Sequence, residues 1–203
     1  IGTGYAVECS GAGETATNFS IEDLSIRGTS AAAGGVHLIA FNHGSVRNVA
    51  ASGFTGATAA GFFTQGANAI RFTNCTTRDN KHGIHNVGVI VNSGNYSVND
   101  LVWDGGQIIH NSGWGVWEDG ALSATVGANT GNVYTFANIS ENGANGSSTS
   151  GNVFFQQCYG STLFRCYLEY AGVTPVSNVT IGDATYTPQG NQIVANAFLS
   201  HGA

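Results

Sequence analysis

The sequence predicts an all-β solenoid, a β-helix, on three observations. Only 9% of the 203 residues are charged, whereas the chain has 30 Gly and many Asn, Ser and Thr; an average soluble domain is about 25% charged. No segment keeps a 3.6-residue apolar period, and short alternating apolar runs are broken by Gly and Asn, which is typical of strands and turns. The third observation is an internal repeat, which indicates a solenoid or a propeller.

The repeat is a tetrapeptide with the pattern apolar, any residue, Asn or Asp, apolar. Its lead residues lie 25 to 38 positions apart, and each interval has room for two or three short strands. This spacing predicts about seven coils, stacked about 4.8 Å apart, in one domain over residues 1–203. The copies are Ile21–Leu24, Val46–Val49, Phe72–Cys75, Val98–Leu101 and Phe136–Ile139, with looser copies at Phe164–Tyr167 and Val194–Ala197.

The polar residue of this tetrapeptide predicts a turn ladder along the solenoid. Stacked Asn side chains can hydrogen-bond from coil to coil, as polar ladders do in other stacked sheets. Asn74 also opens an Asn-Cys-Thr triplet of the glycosylation-acceptor form, and we expect a ladder position there with no room for a glycan. The predicted ladder consists of Asp23, Asn48, Asn74, Asp100, Asn138 and Asn196.

A second motif, Gly followed by alternating apolar residues, predicts a strand with an unusual outer face. Alternation directs Val36, Phe62, Ile84, Val116 and Val153 inward. The outward residues are then rich in aromatic rings and amides, which suit sugar binding; cover by another chain or by long loops is the alternative. One outward row is His37, Phe63, His85, Trp117 and Phe154, and the next is Ile39, Gln65, Val87, Asp119 and Gln156.

The Gly-led strands and Asn turns, as in Asp79–Ile84 and His110–Val116, resemble right-handed parallel β-helix proteins, including pectate-lyase-like enzymes and bacteriophage tailspikes. The resemblance covers nearly the whole chain. It implies a right-handed coil, a carbohydrate groove along one strand face and a homotrimer. The leading interpretation is a segment of a phage tailspike or similar protein, in a virion tail or extracellular, that binds and hydrolyses a bacterial surface polysaccharide.

Hydrolysis requires two carboxylates facing each other across the glycosidic bond. Trp117–Gly120 supplies Glu118 and Asp119 beside an aromatic residue. Adjacent residues of a strand point to opposite faces, so both cannot face the groove unless the strand has ended. Asp119 is therefore the predicted catalytic carboxylate, with Asp104 or Glu141 as its partner and Glu118 as a further candidate.

Two other functions stay open. In the stretch Arg78–His85, Arg78 and Lys81 can neutralise a uronate carboxylate and His85 can act as a base, which predicts a polysaccharide lyase. Alternatively the chain is a non-catalytic shaft or adhesin, and its aromatic row is an interchain contact.

Composition excludes several other classes. A net charge of −6 without a basic cluster argues against nucleic acid and against an anionic membrane surface, and no apolar run approaches the ~18 residues of a membrane span. Cys9, Cys75, Cys158 and Cys166 have no metal-site spacing, so we expect buried hydrophobic residues and neither a metal nor another cofactor. The chain begins at Ile1 without Met, which predicts a piece of a longer protein.

Overall fold

The computed structural model describes residues 4–11, 17–91, 94–120, 128–143, 150–170, 178–182 and 188–200. These residues form 25 strands and no helix, and none of them belongs to a helix able to cross a membrane. Three parallel sheets, here called A, B and C, contain seven strands each. The predicted all-β parallel β-helix is confirmed.

Each coil contributes one strand to each sheet. Sheet A contains Tyr5–Ser10, Gly34–Ile39, Ala60–Gln65, His82–Val87, Trp114–Glu118, Gly151–Phe155 and Val179–Ile181. Sheet B contains Thr17–Glu22, Asn42–Arg47, Asn68–Thr73, Val102–Asp104, Val133–Thr135, Thr162–Phe164 and Gln192–Val194. Sheet C contains Ser25–Arg27, Ala50–Ser52, Thr76–Arg78, Gln107–Ile109, Asn138–Ser140, Tyr167–Tyr170 and Ala197–Ser200. Two small sheets pair Val89–Val91 with Gly94–Tyr96 and Asn129–Thr130 with Cys158–Tyr159.

The core lies inside the coils and is aligned from strand to strand. On sheet A the predicted inward residues occupy one register position and are all buried, namely Val36, Phe62, Ile84, Val116 and Val153. The ring of Phe62 meets Phe72 at 5.5 Å and Trp103 at 5.3 Å, both edge-on. A buried side chain of this size contributes about 1.5–3 kcal/mol, so each coil added to these stacked rows stabilises the solenoid.

The cysteines belong to this apolar interior. Cys75, Cys158 and Cys166 are buried, Cys9 is half-buried, and all four are free thiols. Burial raises the pKa of the Cys75 thiol to about 11, so this side chain stays neutral and packs as a small hydrophobic residue.

The predicted turn ladder exists between sheets B and C, but it spans only three coils. Asn74 Nδ2 donates to Asn48 Oδ1 at 3.0 Å, and Asn48 Nδ2 donates to Asp23 Oδ1 at 2.8 Å. All three residues have φ of 51–53°, a left-handed conformation that Asn and Asp adopt more readily than most residues. Asn74 is exposed, and its Nδ2, the atom to which a glycan would attach, is engaged with Asn48; the absence of a glycan there stays a prediction.

The other three predicted ladder residues lie elsewhere. The same turn position is taken by Gly105, Phe136, Arg165 and Ala195 in the later coils. Asp100 precedes the sheet B strand Val102–Asp104, and Asn138 begins a sheet C strand. Asn196 follows the left-handed residue instead of occupying its place. A coil has three turns, and the tetrapeptide does not distinguish between them.

A buried Asn ladder lies at the turn from sheet C to sheet A. The side-chain Oδ1 of Asn142 accepts from the backbone N–H and the Nδ2 of Asn111, at 3.0 and 2.9 Å. Asn152 Oδ1 accepts in the same way from Asn142, at 3.2 and 2.9 Å. Asn80 N–H donates to Asn111 Oδ1, and Asn152 Nδ2 donates to Asn178 Oδ1. This ladder fixes the corner from which the strands of sheet A start.

Candidate functional site

The predicted aromatic row lies on the outer face of sheet A. The rings of His37 and Phe63 stack at 5.1 Å, those of Phe63 and His85 at 4.9 Å, and those of His85 and Trp117 at 4.2 Å with an interplanar angle of 3°. Parallel pairing places these residues one coil apart. Their flat faces therefore cover one another. Tyr5 packs on His37 at one end, and Trp117 is the ring at the end next to the cleft.

The row changes direction after Trp117. Phe154, the next residue in the register, contacts Trp114 at 4.8 Å between ring centroids. The indole N–H of Trp117 donates to Gln156 Oε1 at 2.9 Å. A cleft opens where the two tryptophans and Phe154 meet.

This cleft has a volume of about 520 Å³. It brings together six residues that were predicted from the sequence, namely Lys81, His85, Trp117, Asp119, Phe154 and Gln156. Ala57, Thr58, His82 and Trp114 complete its lining. Asp119 is the sole carboxylate among the described residues that line it.

Asp119 faces the cleft because it follows the inward Glu118 and so continues the outward alternation of Trp117 at the end of the strand. Trp114–Glu118 is the strand, and Gly120 has a φ of 66° and packs so closely on the Gln157 carbonyl that a Cβ would collide. The backbone N–H of Asp119 donates to the Asn86 carbonyl at 2.9 Å. The turn thus directs the carboxylate toward the neighbouring coil.

Asp119 and His85 form the polar pair of the cleft. Asp119 Oδ2 lies 3.1 Å from His85 Nε2, and the side chains are 20% and 11% exposed. The His85 Nδ1 atom is buried and has no hydrogen-bond partner among the described residues. The Nε2 edge, held by Asp119, is therefore the polar edge of this ring.

His82 forms a wall of the cleft. Its Nδ1 accepts from the Trp114 backbone N–H at 3.1 Å. Burial, followed by repulsion from His85 and Lys81, lowers the pKa of His82 to about 3. The ring is thus neutral at physiological pH, and its bond holds the Trp114 backbone at the start of the strand.

The structure does not bring the predicted carboxylate pairs together. Asp104 lies on sheet B, with Oδ2 3.8 Å from Arg71. Glu141 lies beyond the end of a sheet C strand and pairs with His110 Nε2 at 2.5 Å. Neither lines the cleft, because each belongs to a different side of the coil from Asp119.

Glu118 lies inside the solenoid. Its Oε1 accepts from Tyr134 Oη and from Asn86 Nδ2 at 3.0 Å, and its Oε2 accepts from Asn129 Nδ2 at 2.8 Å and Asn132 Nδ2 at 3.0 Å. The side chain is fully buried, and burial raises its pKa against the opposing effect of these four donors. Glu118 is inaccessible to a polysaccharide and holds neighbouring coils together.

The remaining predicted residues divide between the face of sheet A and its surroundings. Arg78 lies on sheet C, where its Nε is 3.8 Å from Asp79 Oδ2, and it does not line the cleft. Val87 is buried, contrary to the open groove position expected for it. Gln65 Oε1 lies 2.7 Å from His37 Nε2, on the row that leads to the cleft.

Sequence reasoning missed Trp114 as a cleft residue. Alternation from Val116 places Trp114 inside the coil, but the strand starts at the corner, next to Gly113, and the indole turns outward there. A Cβ at position 113 would collide with the His82 ring and the Lys81 carbonyl. The Gly-Trp pair after the buried Asn is the signal that could have identified this corner.

Comparisons with known proteins show the fold. The chain is similar to ORF18 of Geobacillus virus E2, with 15% identity and a TM-score of 0.69 over 97% of this chain and 37% of that one. It is also similar to the A-module of mannuronan C-5 epimerase AlgE4 of Azotobacter vinelandii, with 15% identity and a TM-score of 0.53 over 89% of this chain and 60% of that one. The chain thus spans less than two thirds of either structure. No protein-family model and no curated protein sequence matches it.

Proposed function

We propose that this chain is a β-helical part of a phage or other extracellular surface protein, and that it binds an acidic polysaccharide in the cleft on sheet A. The observation that carries the proposal is the meeting of Trp114, Trp117 and Phe154 with Lys81 and Asp119 in one concave site. Sites for small ligands typically combine apolar walls with a few polar groups that fix orientation.

The aromatic rings suit the apolar faces of sugar rings. Trp117 is the last ring of the row and stacks on His85. Its indole N–H is already paired with Gln156. The ring is therefore held in one orientation before a ligand arrives. An aromatic ring held in this way loses little conformational entropy on binding.

Lys81 favours an acidic ligand. On sheet B the arginines lie beside carboxylates, with Arg47 2.5 Å from Glu22 and Arg71 3.8 Å from Asp104. Within the described part of the chain, no carboxylate lies within 4 Å of the Lys81 ammonium. In a chain with a net charge of −6, this unpaired cation at the cleft attracts a ligand carboxylate.

The structural neighbours support this proposal through their fold alone. One is a phage protein, and the other is named for action on mannuronan. Both are parallel β-helices like this chain, so the architecture is compatible with a virion protein and with a polysaccharide ligand. Assembly as a homotrimer, which the tailspike resemblance implies, is part of the proposal, and sedimentation equilibrium tests it.

For chemistry, the geometry favours proton abstraction over hydrolysis. Hydrolysis by two carboxylates needs a partner for Asp119, and Asp104 and Glu141 lie on other sides of the coil. In contrast, Lys81, His85 and Asp119 line the same cleft. We therefore propose elimination as the reaction: Lys81 neutralises a uronate carboxylate, and the carboxylate of Asp119, whose Oδ2 is held by His85 Nε2, takes the C5 proton, because the buried Nδ1 of His85 cannot reach a ligand. The C4–C5 double bond forms, the C4–O bond breaks, and the leaving oxygen takes up a proton from solvent water.

A panel of acidic and neutral bacterial polysaccharides tests both parts of the proposal. Binding is measured by calorimetry, and turnover by new reducing ends together with the ultraviolet absorbance of an unsaturated uronate. Binding of an acidic glycan is the expected result, and its loss in Lys81→Gln but not in Arg47→Gln locates it in the cleft. Both turnover signals rising together indicate elimination, whereas reducing ends alone indicate hydrolysis and overturn the proposed reaction. Absence of binding by a folded chain across the panel overturns the site.

A further inference from the structure

A second cationic site lies on sheet C, around the corner from the cleft. Arg27, Ser52 and Arg78 occupy one register position in three successive strands. Two coil spacings separate the arginines, about 10 Å, so the two guanidinium groups can converge on one ligand group placed over Ser52. The three side chains border a cavity of about 320 Å³, together with Ser25, Gly53 and Asp79.

The arginines of this site are poorly neutralised. For Arg27, no carboxylate lies within 4 Å among the residues that the structure describes. Arg78 has one carboxylate, with Nε 3.8 Å from Asp79 Oδ2, and that carboxylate also faces His110 Nδ1 at 3.9 Å. The chain has only 6 Lys and Arg residues, and two of them border this one cavity, on either side of Ser52.

The contrast with sheet B shows that this arrangement is not general in the chain. There Arg47 pairs with Glu22 one coil away, in direct register, and Arg71 lies beside Asp104. On sheet C the residue in register between the two arginines is Ser52, which offers a hydroxyl and no charge. Two like charges with a hydroxyl between them favour a bound anion.

We propose that the Arg27–Ser52–Arg78 cavity binds an oxyanion group, either a carboxylate, sulfate or phosphate ester carried by a glycan or the free inorganic anion. Each guanidinium offers a planar fork of N–H donors that matches such a group, and the Ser52 hydroxyl adds a donor. Asp79 lies at the rim and reduces the positive charge without cancelling it. This site shares no lining residue with the cleft on sheet A and does not rest on the proposed function.

Arginine side-chain NMR tests the proposal directly. The folded, ¹⁵N-labelled chain is titrated separately with sodium sulfate, a uronate tetrasaccharide and a sulfated tetrasaccharide, and the Nε–H signals are followed. We expect the Arg27 and Arg78 signals to shift together and to saturate with at least one probe, while Arg47 stays in place. Arg27→Gln and Arg78→Gln should each weaken binding about tenfold, and Arg47→Gln should leave it unchanged.

The probes separate the sources of the anion, and the variants separate this site from the cleft. Tighter binding of a tetrasaccharide than of sulfate assigns the site to a glycan, and equal binding assigns it to the free anion. Shifts that do not saturate, or that include Arg47 equally, overturn the proposal. So does binding that survives Arg27→Gln and is lost in Lys81→Gln, because the anion would then lie in the cleft. Both arginines are exposed, so thermal melting should show folded variants.

Discussion

Glu118 and Asp119 are neighbours in the chain, but they differ in burial, in hydrogen-bond partners and in the face of the strand that they occupy. Glu118 is fully buried, and four donors surround its carboxylate, one from Asn86 of the preceding coil and three from its own coil. Asp119 is 20% exposed and faces the cleft, and among the described residues its carboxylate contacts one group, His85. Alternation along the strand Trp114–Glu118 continues to the residue that follows it, so one carboxylate points into the solenoid and the other lies at its surface.

This comparison separates structural from functional roles on chemical grounds. A carboxylate whose oxygens accept four hydrogen bonds has no lone pair left for a substrate. A carboxylate with one imidazole contact in a concave, aromatic site can still exchange a proton. The polar interior of this solenoid therefore serves its fold, and the proposed chemistry belongs to the outer face.

The largest expected effect is that of Glu118→Gln. The amide NH₂ would meet a donor on whichever side it faces, leaving buried groups unpaired, and we expect a loss of about 3 kcal/mol or more in the free energy of unfolding. Asp119→Asn is the matched control and should change stability by less than about 0.5 kcal/mol. Urea unfolding measures both. Equal destabilisation by the two variants would contradict the division between inside and outside.

The two Asn ladders extend the comparison along the whole solenoid. Asn111→Ala removes buried bonds to Asn80 and Asn142 and should cost about 2–3 kcal/mol. Asn74→Gly removes one exposed bond at a position where glycine accepts the positive φ, so we expect a cost below about 1 kcal/mol. Thermal melting of the two variants shows which ladder contributes more to stability. A larger loss for Asn74→Gly would contradict the claim that the buried ladder contributes more.

The pH dependence of stability tests the burial of His82 in the wall of the cleft. The folded pKa of His82 is about 3, below the unfolded value near 6.5, so the unfolded chain binds a proton that the folded chain excludes. The contribution of His82 to the free energy of unfolding is complete above pH 6.5. It is lost as the pH falls toward 3, by up to about 1.4 kcal/mol per pH unit. His82→Gln should flatten this part of the curve. An unchanged acid slope in that variant would show that another group controls it.

Much of the fold follows from local patterns, and less of the site does. Period-two alternation identified the inward row that contains Ile84 and Val116 and the outward row that contains His85 and Trp117. It also excluded that Glu118 and Asp119 share a face. Both results need only the geometry of a single strand.

Alternation within a strand could not predict which residues of different strands and turns lie close together. Asp100 matches the ladder tetrapeptide but lies at another turn, because the repeat gives the period without naming the corner. Asp104 and Glu141 failed as partners of Asp119 for the same reason, since distance across the solenoid depends on which sheet each strand joins. Trp114 was missed because a side chain at a corner does not obey alternation.

The most direct test of the central claim is the affinity of two aromatic variants for the tightest glycan of the panel. Trp117 lines the cleft on sheet A, whereas Phe136 is 55% exposed at the turn between sheets B and C. We predict that Trp117→Ala weakens binding about 10- to 100-fold, from the roughly 1.5–3 kcal/mol that burying such a side chain contributes, and that Phe136→Ala has no effect. Unchanged affinity in Trp117→Ala, or an equal loss in both variants, would contradict the assignment of the polysaccharide site to sheet A.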